Sequence, residues 1–305
     1  MIHGMRNVVA IAALAGIAGA AHATVYFSQD FKALRCGSPV SDIRISGGVP
    51  PSALFDNWEP TGSSTVECAA PPIAGKKYLT WSIPDRPNNA GVEVDAVPAT
   101  IEMGKTYYLA YWIRFDKGLA DIWHTGTTAY SFDKSIEFQG TGFRWGIGAG
   151  WDGWYSYAPV GKFTFDVWYA TSVLGEHGDD HKPANVAPYS GRAPYLAEYG
   201  KWYGVVMGVT AQSNDNGRVQ LWINGTRTHD YSVYTANPGA KLTKLIAHGT
   251  IAQPAYDAPA HKRSSTGWLV TDNWADVQAG GYLQDPAVSK PATAGTQANP
   301  TAPTR

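Results

Sequence analysis

Residues 217–231, GRVQLWINGTRTHDY, narrow most sharply what this chain can fold into. Two alternating runs, 218–223 and 226–231, meet at Asn224-Gly225, a pair suited to the positive φ values of a two-residue hairpin turn. Alternation puts Val219, Leu221 and Ile223 on one face and Arg218, Gln220 and Trp222 on the other. The expected unit is a β-hairpin with its aliphatic face on a core. Similar runs, rich in β-branched and aromatic residues, recur at 25–31, 77–83, 106–115, 134–139, 162–173, 201–211, 244–251 and 267–277, separated by Gly, Pro, Asn and Asp clusters. No long segment after the first twenty-odd residues has an uninterrupted helical repeat, so the chain reads as an all-β sandwich.

The ends do not belong to that sandwich. Arg6, an apolar run from Val8 to Ala21 and the small-residue pattern Ala21-His22-Ala23 read as a leader over residues 1–23, with Thr24 as the first mature residue. That implies a secreted or periplasmic protein. The run is short for a membrane span, and no later segment offers one. Residues 284–305, QDPAVSKPATAGTQANPTAPTR, hold no aromatic residue and too little apolar surface to offset the entropy of ordering, so they read as a disordered tail. The sandwich is expected over 24–283.

The formal net charge of −1 becomes more negative by one without Arg6, which gives no global attraction to nucleic acid or an anionic membrane. An anionic ligand needs a local cluster. The two cysteines, Cys36 and Cys68, are expected to form one disulfide in an oxidising compartment, the alternative being two buried thiols.

The run at 106–115, the segment DIWHTG, the stretch from KWYGVVMGVT through the hairpin, and the closing GWLVTDNWADVQAGGYL together resemble a concanavalin A-like jelly roll of two antiparallel sheets. Within that fold they are similar to the heparin-lyase-I-like and glucuronan-lyase-like polysaccharide lyases. About thirty residues carry the resemblance strongly. It implies a uronic-acid polysaccharide as partner and β-elimination as reaction, with no organic cofactor. Such a lyase neutralises the C6 carboxylate, removes the C5 proton and protonates the departing O4. His124, following Trp123, matches the family's histidine and is the candidate base. By position and chemistry, Gln139 and Arg144 are candidate carboxylate binders and Tyr155 or Tyr157 the candidate acid.

A sugar groove needs polar side chains and exposed rings. Alternation along 106–115 separates Tyr107, Leu109, Tyr111, Ile113 and Phe115 from Tyr108, Ala110, Trp112 and Arg114, and the second set is assigned to the groove or surface. Likewise Ser135, Glu137 and Gln139 share a face that is expected to be open. Trp112, Arg114, Lys134, Glu137 and Trp145 are therefore candidate substrate contacts. The family's Arg-acidic pair is stretched here to Arg86 and Glu93, and its late tyrosine run is not recognisable; Tyr256 and His261 are the candidate substitutes. Asp30 and Asp272, on terminal strands that pair in many such sandwiches, are candidate structural calcium ligands, although two carboxylates do not make a site. The stretch EHGDDHK reads as a solvated loop. Two further function classes remain open: a lectin-like module without catalysis, and a glycoside hydrolase, which needs two carboxylates flanking the bond.

Overall fold

The computed structural model describes residues 23–40, 43–60, 63–68, 77–83, 90–116, 131–151, 162–170, 195–251 and 261–286. They form a jelly-roll sandwich of two antiparallel sheets. The first sheet runs β14 (Thr226–Ser232), β13 (Arg218–Ile223), β12 (Trp202–Thr210), β7 (Thr106–Phe115), β16 (His261–Thr271), β5 (Tyr78–Ile83) and β4 (Ser63–Glu67), with β1 (Val25–Gln29) also pairing β16. The second runs β11 (Ala197–Glu198), β10 (Lys162–Ala170), β9 (Phe143–Trp151), β8 (Ser131–Thr141), β15 (Lys241–Ile251), β6 (Ala90–Thr100), β3 (Ser52–Pro60) and β2 (Ile43–Ser46). Among the described residues no helix is long and apolar enough to cross a membrane.

The hairpin forms as its sequence requires. Asn224 and Gly225 take φ values of 47° and 78°, and Val219, Leu221 and Ile223 join the core between the sheets. The Asn224 side chain accepts a hydrogen bond from the Gly204 amide at 2.8 Å, so the turn is tied to β12. Tyr107, Leu109, Tyr111, Ile113 and Phe115 enter the same core, which is dense in rings. Phe31 meets Trp268 edge-on at 5.0 Å, and Trp145 packs on Phe143 at 4.3 Å and on Phe138 at 5.0 Å. Rings of this size bury large apolar areas and dominate the favourable term of folding.

The outer face of the first sheet departs from expectation. Tyr108, Ala110, Trp112, Val206 and Trp222 are buried in a second apolar cluster, covered by Val277 and Tyr282 with Trp274 and Leu283 at its margin. The run 267–277 is not one strand: β16 stops at Thr271, and helix α1 (Trp274–Ala279) begins after Asn273, whose side chain caps the Ala275 amide at 3.0 Å. A six-residue helix is too short to show a repeat, which is why periodicity misses it. The strap from α1 to Leu283 lies flat on β12 because Gly204 is bare; a Cβ there would collide with the Tyr282 carbonyl.

Cys36 and Cys68 are joined, closing a loop with a sequence separation of 32. In the chain-entropy model this limits the unfolded state by about 3–4 kcal/mol. Cys36→Ser with Cys68→Ser should therefore lower the unfolding free energy by about 3 kcal/mol, with a lower urea midpoint and a steeper slope because the unfolded chain becomes less compact. An unchanged midpoint would remove the disulfide from the account of stability.

Candidate functional site

The strap covers the outer face of the first sheet at β7, β12 and β13, and the outer face of the second sheet carries a group of charged and polar side chains. Its inward residues, among them Ile136, Phe138, Trp145, Ile147, Leu245, Ala247, Val92 and Val94, build the core. The register then fixes what points away. Gln139 lies opposite Arg144 on one side and Lys244 on the other, and Lys244 opposite Asp95. In the adjacent row Glu137 lies between Gly146 and Ile246, and Ile246 opposite Glu93. Two diagonal ion pairs cross these rows. Arg144 donates from Nε and one terminal nitrogen to Glu137 Oε1 at 3.0 and 2.8 Å, and Lys244 meets Glu93 at 2.5 Å.

Burial differs sharply within the group. Glu137 is 0% exposed, whereas the Arg144 side chain keeps 33% of its surface. A carboxylate removed from water needs a cation and hydrogen bonds to remain charged, and Arg144 supplies both. The pair therefore holds the guanidinium in one place, on a side chain that keeps a third of its surface. Beside it, the half-buried Gln139 places a side-chain amide that makes no hydrogen bond to the described residues. A fixed guanidinium next to a carboxamide offers charge and directional donors to a carboxylate.

The structure brings together Glu137, Gln139 and Arg144 from the sequence candidates and adds Lys244 and Glu93 as a new pair. The β8–β9 hairpin was legible in GTGF, because Gly140 pairs with Phe143 around Thr141-Gly142 and Gly142 has φ 81°. Reading it would have placed Arg144 beside Gln139. The Lys244–Glu93 pair joins β15 to β6 across 151 residues and leaves no local signal.

Several candidates lie elsewhere. Trp145 is not a groove residue: it is 0% exposed in the core and donates to the Thr235 carbonyl at 2.6 Å. Trp112 is buried beneath Tyr282, with ring centroids 6.0 Å apart. Arg114 is on the other sheet, its guanidinium stacked over Trp202 at 5.2 Å and Tyr78 at 5.8 Å and bonded to the Ser264 hydroxyl at 3.3 Å. Neither can join Arg144. Glu137 is fully buried rather than on an open face, so it supports Arg144 instead of contacting substrate, and Ser135 does not share its face. A register shift between Lys134 and Ile136 turns it inward, where it donates to the Ile147 carbonyl at 2.7 Å and meets the Tyr111 hydroxyl at 3.2 Å. Lys134 and His261 occupy strand positions opposite Gly148 and Ile83, respectively. His124, Tyr155, Tyr157, Tyr256, Arg86 and the EHGDDHK stretch lie outside the described residues.

Asp30 and Asp272 are already engaged. Asp30 pairs with Lys32 at 2.9 Å, and Asp272 takes Lys105 at 2.7 Å, the Tyr26 hydroxyl at 2.9 Å and the Thr24 amide at 2.8 Å. Among the described residues no group of three or more His, Cys, Asp or Glu could hold a metal ion. His229, in the hairpin, is also a structural residue. Burial pushes its pKa down to about 4, and the neutral ring bonds the Thr228 hydroxyl at 2.9 Å.

No protein-family model and no curated protein matches the sequence. Among solved structures, an alginate lyase in complex with an alginate trisaccharide is similar at 17% identity and a TM-score of 0.43, covering 71% of this chain and 87% of its own. The endo-β-1,4-glucuronan lyase of the fungus Trichoderma reesei is similar at 11% identity and 0.42, covering 83% and 98%. A botulinum neurotoxin type C structure, described by its interaction with two ganglioside molecules, is similar at 12% and 0.41, covering 82% of this chain and 51% of its own. Likeness at this level carries nothing about activity.

Proposed function

We propose that this protein is an exported polysaccharide lyase that binds a uronic-acid polymer on the outer face of the second sheet. The observation that carries the reading is Arg144, pinned by the buried Glu137 carboxylate and standing beside Gln139, whose side-chain amide makes no hydrogen bond among the described residues. In this reading Arg144 and Gln139 receive the C6 carboxylate, which makes the C5 proton more acidic. His124 then takes that proton and Tyr155 or Tyr157 protonates O4 as the bond breaks. The electron pair left at C5 forms the C4–C5 double bond, so neither water nor an organic cofactor enters the balance.

Glu137 does not suit the hydrolase reading. Its side chain is 0% exposed and its Oε1 is taken by Arg144, whereas a glycosidase acid must reach the leaving oxygen of the substrate. The test is a panel of glucuronan, alginate and heparin-type chains followed by ultraviolet absorbance of the conjugated enoate and by new reducing ends. Both signals should rise together on at least one polymer. Binding without either signal would replace the lyase by a lectin-like module, and reducing ends without absorbance would establish a hydrolase.

A further inference from the structure

The N-terminal end of the sandwich holds a second charged group, remote in sequence and independent of the lyase reading. The Thr24 nitrogen donates to Asp272 Oδ1 at 2.8 Å, while Thr24's carbonyl accepts from the Asp272 amide at 3.2 Å and the Thr271 hydroxyl at 3.1 Å. Thr24 is thus clamped from both sides one residue before β1 begins, and Ala23 is exposed. The Asp272 side chain is only 4% exposed. Its other oxygen receives Tyr26 and Lys105, and Lys105 also reaches Glu102 at 3.3 Å.

Two carboxylates, Asp272 and the exposed Glu102, share the Lys105 ammonium, and a third, Asp276, accepts from the Thr271 hydroxyl at 2.8 Å. Burial opposes the charged form of Asp272, but the hydrogen bonds from Lys105, Thr24 and Tyr26 outweigh it and hold the group ionised. Among the described residues of this cluster carboxylates outnumber cations. The bond whose cleavage would supply a further cation, Ala23–Thr24, is the one that the Ala21-His22-Ala23 pattern marks for removal of a leader.

We propose that Ala23–Thr24 is a processing site and that the α-ammonium created at Thr24 binds the Asp272 carboxylate, adding a second cation to this acidic cluster. Cleavage converts a neutral amide donor into a cationic one at the same position, and charge-assisted hydrogen bonds are roughly twice as strong as neutral ones. Processing and fold are then coupled: the mature chain is more stable than any longer one.

The test compares chains that begin at Thr24, begin at His22, or begin at Thr24 with an acetylated nitrogen, each unfolded by urea at pH 7 and low salt. The His22 and acetyl forms should both show an unfolding constant on the order of fivefold larger than the free Thr24 form. In an Asp272→Asn background the three should agree within about twofold. Exported protein should begin at Thr24 on N-terminal sequencing. Equal stability of the free and acetylated forms would overturn the ion pair, even if Asp272→Asn failed to fold. A difference that survives Asp272→Asn would also overturn it, and another N-terminus would overturn the processing site.

Discussion

Removing residues 274–305 should cost the protein more than about 5 kcal/mol, whereas removing Gln284–Arg305 should cost no more than about 0.5 kcal/mol. The shorter deletion leaves the strap in place and takes away residues with little apolar surface. The longer one strips Val277 and Tyr282, which are 0% and 3% exposed, together with the half-buried Trp274 and Leu283. Fully burying a side chain of that size is worth about 1.5–3 kcal/mol, and the deletion also returns Tyr108, Trp112 and Trp222 to water. That sum is comparable with the whole stability of an ordinary domain, about 5–15 kcal/mol. A milder probe is Tyr282→Phe, which removes the hydroxyl that bonds the Gly267 carbonyl and should cost about 1 kcal/mol. Urea unfolding followed by tryptophan emission reads all three. Equal midpoints for the two truncations would show that the strap is a passive cover.

The strap also explains where the sequence misleads. Alternation along β7 and β13 correctly separates inner from outer residues, because that property is local and has a period of two. What covers the outer face is decided by a segment about 160 residues after β7. Trp112 therefore looks like a groove residue in the sequence, and Trp222 like a residue of the hairpin's outer face, while both are interior residues in the fold. Trp145 misleads for a different reason. Its strand reads FRWGIGAGW, in which glycine takes three of the four outward positions, so the inward residues stand out less as one face of a strand. The charged site is legible only in part. Glu137, Gln139 and Arg144 fall on one hairpin and can be found from its turn, whereas Lys244 and Glu93 meet only after β15 inserts between β8 and β6. The disulfide needs no topology, since two cysteines have one intramolecular pairing available.

Arg144→Met should lower turnover on a uronate polymer by about a hundredfold to a thousandfold, the scale seen when a charge-stabilising donor is lost from the transition state. The same change should destabilise the fold by about 2–4 kcal/mol, because it leaves the fully buried Glu137 carboxylate without its guanidinium. These losses have different origins and can be separated. Adding Glu137→Leu removes the buried charge, so the double variant should regain most of the stability but none of the turnover. His124→Ala provides the contrasting case: turnover should fall at least about a hundredfold, with the urea midpoint and polymer binding unchanged, because proton abstraction acts on the transition state. Arg144→Lys keeps the charge but not two donors on one plane, so it should fall between wild type and Arg144→Met in both measurements. Turnover within threefold of wild type for Arg144→Met would remove the residue from carboxylate recognition. A double variant as unstable as the single one would show that the cost of losing Arg144 lies in packing of its aliphatic stem rather than in the stranded carboxylate.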